Sequence, residues 1–393
     1  MQETSPFVFS IFIIFTGAAF LATLALYTRQ SLLVAYMLLG MILGPNGFRL
    51  VPDINLAREI GDVGIIFLLF LLGLDLNPKD LLHTFSKTSI VTLVSSLSFA
   101  LVGFIVGYLF GFNFIESLLI GAALMFSSTI IGLKLLPTTA LHHQPIGEAM
   151  ISILLLQDIL AIFVLIAVHG TSMTGNKIID FGLTIVTLPV LLGIAFFLQH
   201  FVISRLLARF NRIKEYVFLL ALGWCMGLAE LAKYFGLSAE IGAFLAGVAI
   251  AEGPIALYIV QSLKPLRDFC LVMFFFAIGA SFDLNYLPQV IIPALILAIV
   301  MLGVKPGLFA TLLQLTGNRD KNSAIEVGVR LGQGSEFSLL LAYLAADGVH
   351  ALISPKANYL IQATTLITFM VSTYIVVMRY PTPVAFNEKL RRD

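Results

Sequence analysis

Thirteen apolar segments follow one another along this 393-residue chain, most of them long enough to cross a bilayer. A hydrocarbon core of about 30 Å needs roughly 20 apolar residues when they are coiled as a helix. Within it, every backbone N–H and C=O must be bonded inside the segment or by a neighbour. The pattern therefore dictates an all-α, polytopic membrane protein. The segments fall at about 6–27, 32–48, 60–76, 86–112, 115–136, 147–169, 180–203, 215–235, 238–262, 267–282, 287–313, 322–346 and 353–379. Hydrophobic residues make up 59% of the chain and charged residues 11%, too little polar surface to cover a soluble domain of this length.

The first run, Pro6 to Tyr27, has no basic segment ahead of it and no cleavage site, and reads as a retained span. A net charge of +1 makes no case for nucleic acid. Cys225 and Cys270 sit in apolar runs and read as small buried hydrophobes. No nucleophile–base pair or metal-ligand spacing occurs at membrane depth, which argues against an enzyme and against a tightly bound cofactor. An odd number of spans puts the termini on opposite sides of the membrane. Arg29, the Arg205–Lys214 cluster, Lys264, Arg267 and the basic tail then share one side, and the positive-inside rule makes that side cytoplasmic. The N-terminus is expected outside and the C-terminus in the cytoplasm, at the plasma (inner) membrane.

An internal repeat follows from two echoes. Phe70-Leu71-Leu72-Gly73-Leu74-Asp75-Leu76-Asn77 in the third span resembles Phe276-Ala277-Ile278-Gly279-Ala280-Ser281-Phe282-Asp283-Leu284-Asn285 in the tenth. Gly40-Met41-Ile42-Leu43-Gly44-Pro45 in the second resembles Gly247 to Pro254 in the ninth. Both pairs lie seven spans apart, and an odd offset inverts the copies. The expected organisation is one transporter domain over 1–393: repeat one at about 6–169, a linker span at 180–203, repeat two at 215–379, and a short tail from 380 to 393. Inverted repeats with a site at the bilayer midplane characterise secondary transporters.

Asp158 marks that site. It lies ten residues after Glu148 and eleven before His169, about 15 Å from either end of its helix. A carboxylate at that depth costs at least about 2.5–3.5 kcal/mol and must face a cavity or a partner. Spans 5 and 12 correspond in the repeat, and small polar residues interrupt both: Ser127-Ser128-Thr129 in one, Gly332-Gln333-Gly334-Ser335-Glu336 in the other. Broken helices at membrane depth expose carbonyls and helix ends that can coordinate a cation. The reading is that Asp158 takes a monovalent cation or a proton, with Gln157, Ser127, Ser128, Thr129, Gly334 and Ser335 supplying neutral oxygens.

Lys305, followed by Pro306-Gly307, is expected to sit at a break or kink in the eleventh span and to pair with Asp158. Glu336 is a secondary candidate with no local partner, whereas Arg330 has Glu326 four residues before it. Asp75 and Asp283 read as caps or interfacial charges, Lys134 and Glu148 as snorkelling or interfacial charges, and His142 and His143 as loop residues able to sense pH. One carboxylate holds either one proton or one monovalent cation, so the exchange it supports moves no net charge. A gated channel-like efflux pathway is the alternative, but no selectivity ring or carbonyl filter is visible.

These residues resemble the monovalent cation:proton antiporter-2 family and, within it, the Kef-type potassium efflux systems. The resemblance runs from about residue 15 to 375. It is carried by Tyr36, Gly40, Gly44-Pro45 and Gly47, by Phe70–Leu76, Ser127–Thr129 and Leu156-Gln157-Asp158, and by Gly236-Leu237-Ser238, Gly242–Gly247, Lys305 and Gly332–Phe337. It implies a sodium/proton antiporter-like fold with two crossed, discontinuous helices (spans 5 and 12), a dimerisation domain and a homodimer. It also implies Asp158 as the ion-binding residue and Lys305 as the core lysine. Gln157, where the electrogenic members of the family have a second aspartate, points to electroneutral K⁺/H⁺ exchange for potassium efflux and pH homeostasis. The chain departs from Kef proteins after its last span. It ends at Asp393 with no Gly-rich βαβ segment, which leaves a separate cytoplasmic regulatory subunit, or a missing nucleotide-binding domain, as the expected partner.

Overall fold

A computed structural model describes residues 6–51, 53–75, 78–136, 145–170, 177–251, 254–316, 320–346, 351–383, 385 and 388–391. Among these the regular structure is helical. The first half holds α1 (Pro6–Tyr27), α2 (Leu32–Leu43), α3 (Asn55–Asp75), α4 (Pro78–Leu109), α5 (Phe114–Leu124), α6 (Thr129–Lys134) and α7 (Pro145–Gly170). Next come α8 (Lys177–Leu198), a π turn at Gln199–Ile203, α9 (Ser204–Phe210), α10 (Lys214–Tyr234), α11 (Ala239–Ile250) and α12 (Pro254–Ser281). The chain finishes with α13 (Leu287–Leu315), α14 (Lys321–Arg330), α15 (Glu336–Ala346) and α16 (Pro355–Arg379). Among the described residues, eight helices or helix pairs are long and apolar enough to cross a membrane, and α2, α11 and α15 are shorter apolar helices.

The thirteen expected segments each find a helix or a pair of half-helices, with two corrections. The ninth was placed at 238–262 but its helix stops at Ile250, and residues 254–262 open α12. Pro254 explains the new start, because proline fits the first helical turn, where no N–H is needed. The break expected at Pro306 is also absent, since α13 runs unbroken through Pro293 and Pro306. Proline is tolerated inside membrane helices where neighbours compensate for the lost hydrogen bond, and here Gly328 of α14 lies directly on the Pro306 backbone. The residues His142 and His143, and the side chains of Asp75, Lys134 and Glu148, lie outside the described residues.

Two compact units emerge, each assembled from both halves of the chain. The first comprises residues 1–17, 37–83 and 165–281, which hold α3, most of α2, and α8 to α12. Its core gathers Phe67 and Phe70 of α3, Trp224 of α10, Ile241 of α11 and Leu263 of α12. The Trp224 indole donates to the Ala246 carbonyl at 2.9 Å, so even this large aromatic leaves no polar atom stranded. Cys225 and Cys270 are buried free thiols of this unit, as expected. The second unit comprises residues 18–36, 84–164 and 282–393, with α5 to α7, most of α4, and α13 to α16.

The glycines of the two sequence echoes pack alike in the first unit. A Cβ on Gly40 (α2) would strike the Phe276 carbonyl, and one on Gly279 (α12) would strike the Met37 carbonyl. The equivalent pair behaves identically: Gly247 (α11) meets the Phe70 carbonyl, and Gly73 (α3) meets the Phe244 carbonyl. The two contacts map onto each other under the sequence echoes. Small residues at these crossings let helix backbones touch where lipid offers no hydrophobic drive. Gly40→Ala and Gly247→Ala should each cost about 1–3 kcal/mol, read as an earlier melt of the detergent-solubilised protein. Gly223→Ala, whose Cβ would meet nothing within 4 Å, should be neutral or stabilise by up to about 1 kcal/mol. Equal melting of all three variants would sink the close-packing account.

Candidate functional site

The second unit is organised around two interrupted helices. The helix containing α5 stops at Leu124, and Met125 to Ser128 run without helical bonding before α6 begins. Hydroxyl residues favour such breaks because they bond the backbone locally. Ser128 does so here, its Oγ accepting from the Ile131 N–H at 3.1 Å as the N-cap of α6. In the second interruption α14 stops at Arg330 and α15 starts at Glu336. Ser335 Oγ accepts from the Phe337 N–H at 3.1 Å, and the Ser335 N–H donates to Ser338 Oγ at 3.3 Å.

The two breaks lie against each other and are stitched together. Ser127 Oγ donates to the Leu331 carbonyl at 2.8 Å, Gln333 Nε2 to the Ser128 carbonyl at 3.4 Å, and Ser338 Oγ to the Ala123 carbonyl. The Ile130 N–H donates to Glu336 Oε1 at 3.4 Å. From α16, Thr368 accepts from the Gly334 N–H at 3.0 Å, and Ser372 donates to Gln333 Oε1 at 3.0 Å. One carboxylate also aligns two helix starts. Glu116 completes the capping box of α5 with Asn113 and accepts from the Ser354 N–H, the N-cap of α16, at 2.9 Å.

Lys305, 1% exposed, enters this crossing from α13. Its ammonium donates to the Phe126 carbonyl at 2.5 Å, to the Gln333 carbonyl at 2.9 Å and to Ser127 Oγ at 3.5 Å. Phe99 covers it, the ring centroid lying 5.4 Å from Nζ. The three donors of the ammonium thus join the two unwound segments. This corrects the expected Lys305–Asp158 pair: the lysine answers the carbonyls at two helix C-terminal ends, where a positive charge is favoured.

Asp158, 2% exposed, sits midway along the 26-residue α7. Thr129, the first residue of α6, donates to its carboxylate with 3.2 Å to either oxygen. Gln157 faces the break differently. Its Oε1 accepts from the Ser127 N–H at 3.0 Å, and its Nε2 donates to the Met125 carbonyl at 3.3 Å and lies 3.5 Å from Ser96 Oγ. It braces the unwound backbone from both sides.

The expected site residues therefore divide. Asp158 and Thr129 touch each other, whereas Gln157, Ser127, Ser128 and Ser335 are engaged in holding the broken segments, and Gly334 is bonded through its N–H. The Phe126, Gln333, Leu331, Ser128 and Met125 carbonyls are all occupied by protein donors. Glu336 is buried at the first turn of α15, and its Oε2 has no hydrogen-bond partner. Arg330 pairs with Glu326 at 2.8 Å as expected, and also bonds the Leu135 and Pro381 carbonyls at 2.9 and 2.8 Å. It clamps the end of α6 and the tail. Gln333, Thr368, Ser372 and Ser96 were missed as site residues. Gln333 lay within a motif already noted, but single hydroxyls in apolar helices carry no signal that separates packing from a role at a site.

Comparison with known proteins agrees with this architecture. The family description "Sodium/hydrogen exchanger, transmembrane" matches residues 11–379. The glutathione-regulated potassium-efflux system protein KefC of Enterobacter sp. (strain 638) is 30% identical over 361 residues, covering 89% of this chain and 57% of that protein. K(+) efflux antiporter 4 of Arabidopsis thaliana is 28% identical, covering 92% of this chain and 62% of that protein. The iron transporter MagA of Paramagnetospirillum magneticum is 27% identical, covering 88% and 79%. The chain thus spans about three-fifths of the length of the two efflux relatives. The sodium proton antiporter MjNhaP1 of Methanocaldococcus jannaschii has the same fold, with a TM-score of 0.68 at 18% identity over 93% of this chain and 94% of that one. Fold, helix crossing and sequence together make this chain a member of the sodium/hydrogen exchanger transmembrane family, with Kef-type potassium-efflux antiporters among its relatives.

Proposed function

We propose that this chain is a secondary antiporter that exchanges cytoplasmic K⁺, or Na⁺, for an external proton by alternating access, one for one and without moving net charge. The observation that carries this reading is the buried Asp158 carboxylate at mid-helix, bonded to Thr129 at the start of a half-helix. A carboxylate there can be neutralised by one proton or by one monovalent cation, and either removes the cost of a bare charge in low dielectric. The cation would meet Asp158 and the Thr129 hydroxyl, hard oxygen ligands suited to K⁺ or Na⁺. Gln157, Ser127, Ser128 and Ser335 act as positioning residues, since their polar atoms already hold the broken segments. Lys305 places its ammonium on the carbonyls of the two C-terminal half-helix ends, so the transported cation is not needed there.

The helices around Asp158 would move past a scaffold of spans 1–3 and 8–10 between inward- and outward-open states. The repeats would span about 6–169 and 215–379, joined by a linker span at 180–203, with the N-terminus outside and a tail from 380 in the cytoplasm. A homodimer at the plasma membrane is the assembly implied by the family, and the length difference from the efflux relatives leaves room for a regulatory domain or subunit.

In liposomes carrying a pH gradient, K⁺ or Na⁺ should collapse the gradient through the wild-type protein at a rate indifferent to clamped voltage. Asp158→Asn should abolish the collapse. Cation flux without proton movement would exclude the antiporter and favour a channel-like pathway. Lys305→Met should strand two buried carbonyls, each costing about 1–3 kcal/mol, and so lower the melting temperature strongly. If Lys305→Met left stability intact and moved only the pH dependence of transport, an ion pair with Asp158 would replace the carbonyl brace.

A further inference from the structure

The exchange chemistry leaves aside a carboxyl group of the crossing, that of Glu336, 4% exposed and the first residue of α15. The head of its own helix is served by hydroxyls, since Ser335 Oγ accepts from the Phe337 N–H and Ser338 Oγ from the Ser335 N–H. The Glu336 carboxyl group reaches the other broken helix instead. Its Oε1 accepts from the Ile130 N–H of α6, 206 positions away in sequence, at 3.4 Å. The Ser128 side chain and the Thr129 backbone face the same carboxyl group. A helix leaves its first four N–H groups without partners inside the helix, and in α6, six residues long, these are most of the N–H groups it has. Ser128 caps the Ile131 N–H from the adjoining chain. Glu336 caps the Ile130 N–H from across the crossing, so both interrupted helices pin the first turn of α6.

That turn begins with Thr129, whose hydroxyl lies 3.2 Å from each oxygen of Asp158. Equal distances place the hydroxyl on the midline of the carboxyl group, and it stays there only while the turn beneath it keeps its geometry. A frayed turn would swing it aside. We propose that Glu336 is a positioning residue of the ion site. It caps α6 from outside that helix and thereby fixes the Thr129 oxygen at the separation from Asp158 that a monovalent cation meets. Glu336 Oε2 has no hydrogen-bond partner, so the part that matters is one acceptor oxygen on the Ile130 N–H. Lys305 joins the two interruptions where their first half-helices end, and Glu336 joins them where the second half-helices begin. The inference rests on Asp158 and Thr129 as the cation's ligands and adds what sets the distance between them.

Cation affinity would be read twice, as the KM of cation-driven proton movement in liposomes and as the cation-dependent rise in melting temperature in detergent. Glu336→Met, which fills similar space without an acceptor, should raise the KM and the apparent Kd by about tenfold, the worth of one hydrogen bond at the site. The maximal rate should change less. Glu336→Gln returns an oxygen to the Ile130 N–H without the charge, and should recover most of the lost affinity. Glu336→Asp keeps the charge but is one methylene too short, and should resemble Glu336→Met. Recovery by Glu336→Asp, failure of Glu336→Gln to recover, or an unchanged KM in Glu336→Met would overturn the assignment. If Glu336→Met melts too early to assay, the contrast between Gln and Asp decides. Wild-type vesicles in which cations move no protons would sink the exchange reading instead, and the melting series would still test Glu336.

Discussion

The ammonium of Lys305, shared between the Phe126 and Gln333 carbonyls, is the interaction on which the rest of the second unit depends. Two helices interrupted inside a membrane leave backbone groups that lipid cannot solvate, and each stranded group costs several kcal/mol. One buried cation answers a carbonyl from each break and so makes both interruptions possible in the same place. Around it, Gln157, Gln333, Ser127 and Ser338 pair further groups of the unwound segments with one another. The crossing thus pairs most of the polar groups of the two unwound segments with one another, and such paired networks rigidify the structure around them.

The network also sorts charge. Positive charge sits where half-helices end, at Lys305 between Phe126 and Gln333, and Arg330 on the Leu135 carbonyl closing α6. Carboxyl groups sit where half-helices begin, with Asp158 against Thr129 at the head of α6 and Glu336 in the first turn of α15. Both placements follow the direction of the helix dipole. The carbonyl ends are answered by lysine and arginine, and Asp158 lies beside the Thr129 hydroxyl. That placement supports the proposed one-for-one chemistry.

Much of this was legible locally. Apolar run lengths located the spans, because the bilayer imposes a length on any helix that crosses it. The breaks at Ser127–Thr129 and Gly332–Ser335 were readable because hydroxyls and glycine weaken a helix from within. The repeat was readable from Gly40/Gly247 and Gly73/Gly279, and the structure gives those glycines a common reason in backbone contact. The ninth span was mispositioned because its apolar character continues through Pro254 into the next helix, so that hydropathy alone blurred the boundary. Pro306 was misread because its effect depends on what packs against it, and that neighbour, Gly328, is remote in sequence.

The sequence by itself determined that the chain crosses a membrane many times, that two of its segments echo each other, and that one aspartate lies in the middle of an apolar helix. These are consequences of hydropathy, period and local helix chemistry, which need no knowledge of neighbours. Only the tertiary structure decided what each buried polar group faces. Lys305 meets carbonyls instead of Asp158, Gln157 braces backbone instead of presenting an oxygen, and Glu336 of α15 meets the Ile130 N–H of α6. Hydrogen bonds reach only about 3 Å, and which residues come that close across hundreds of positions is set by helix packing, which no local pattern encodes.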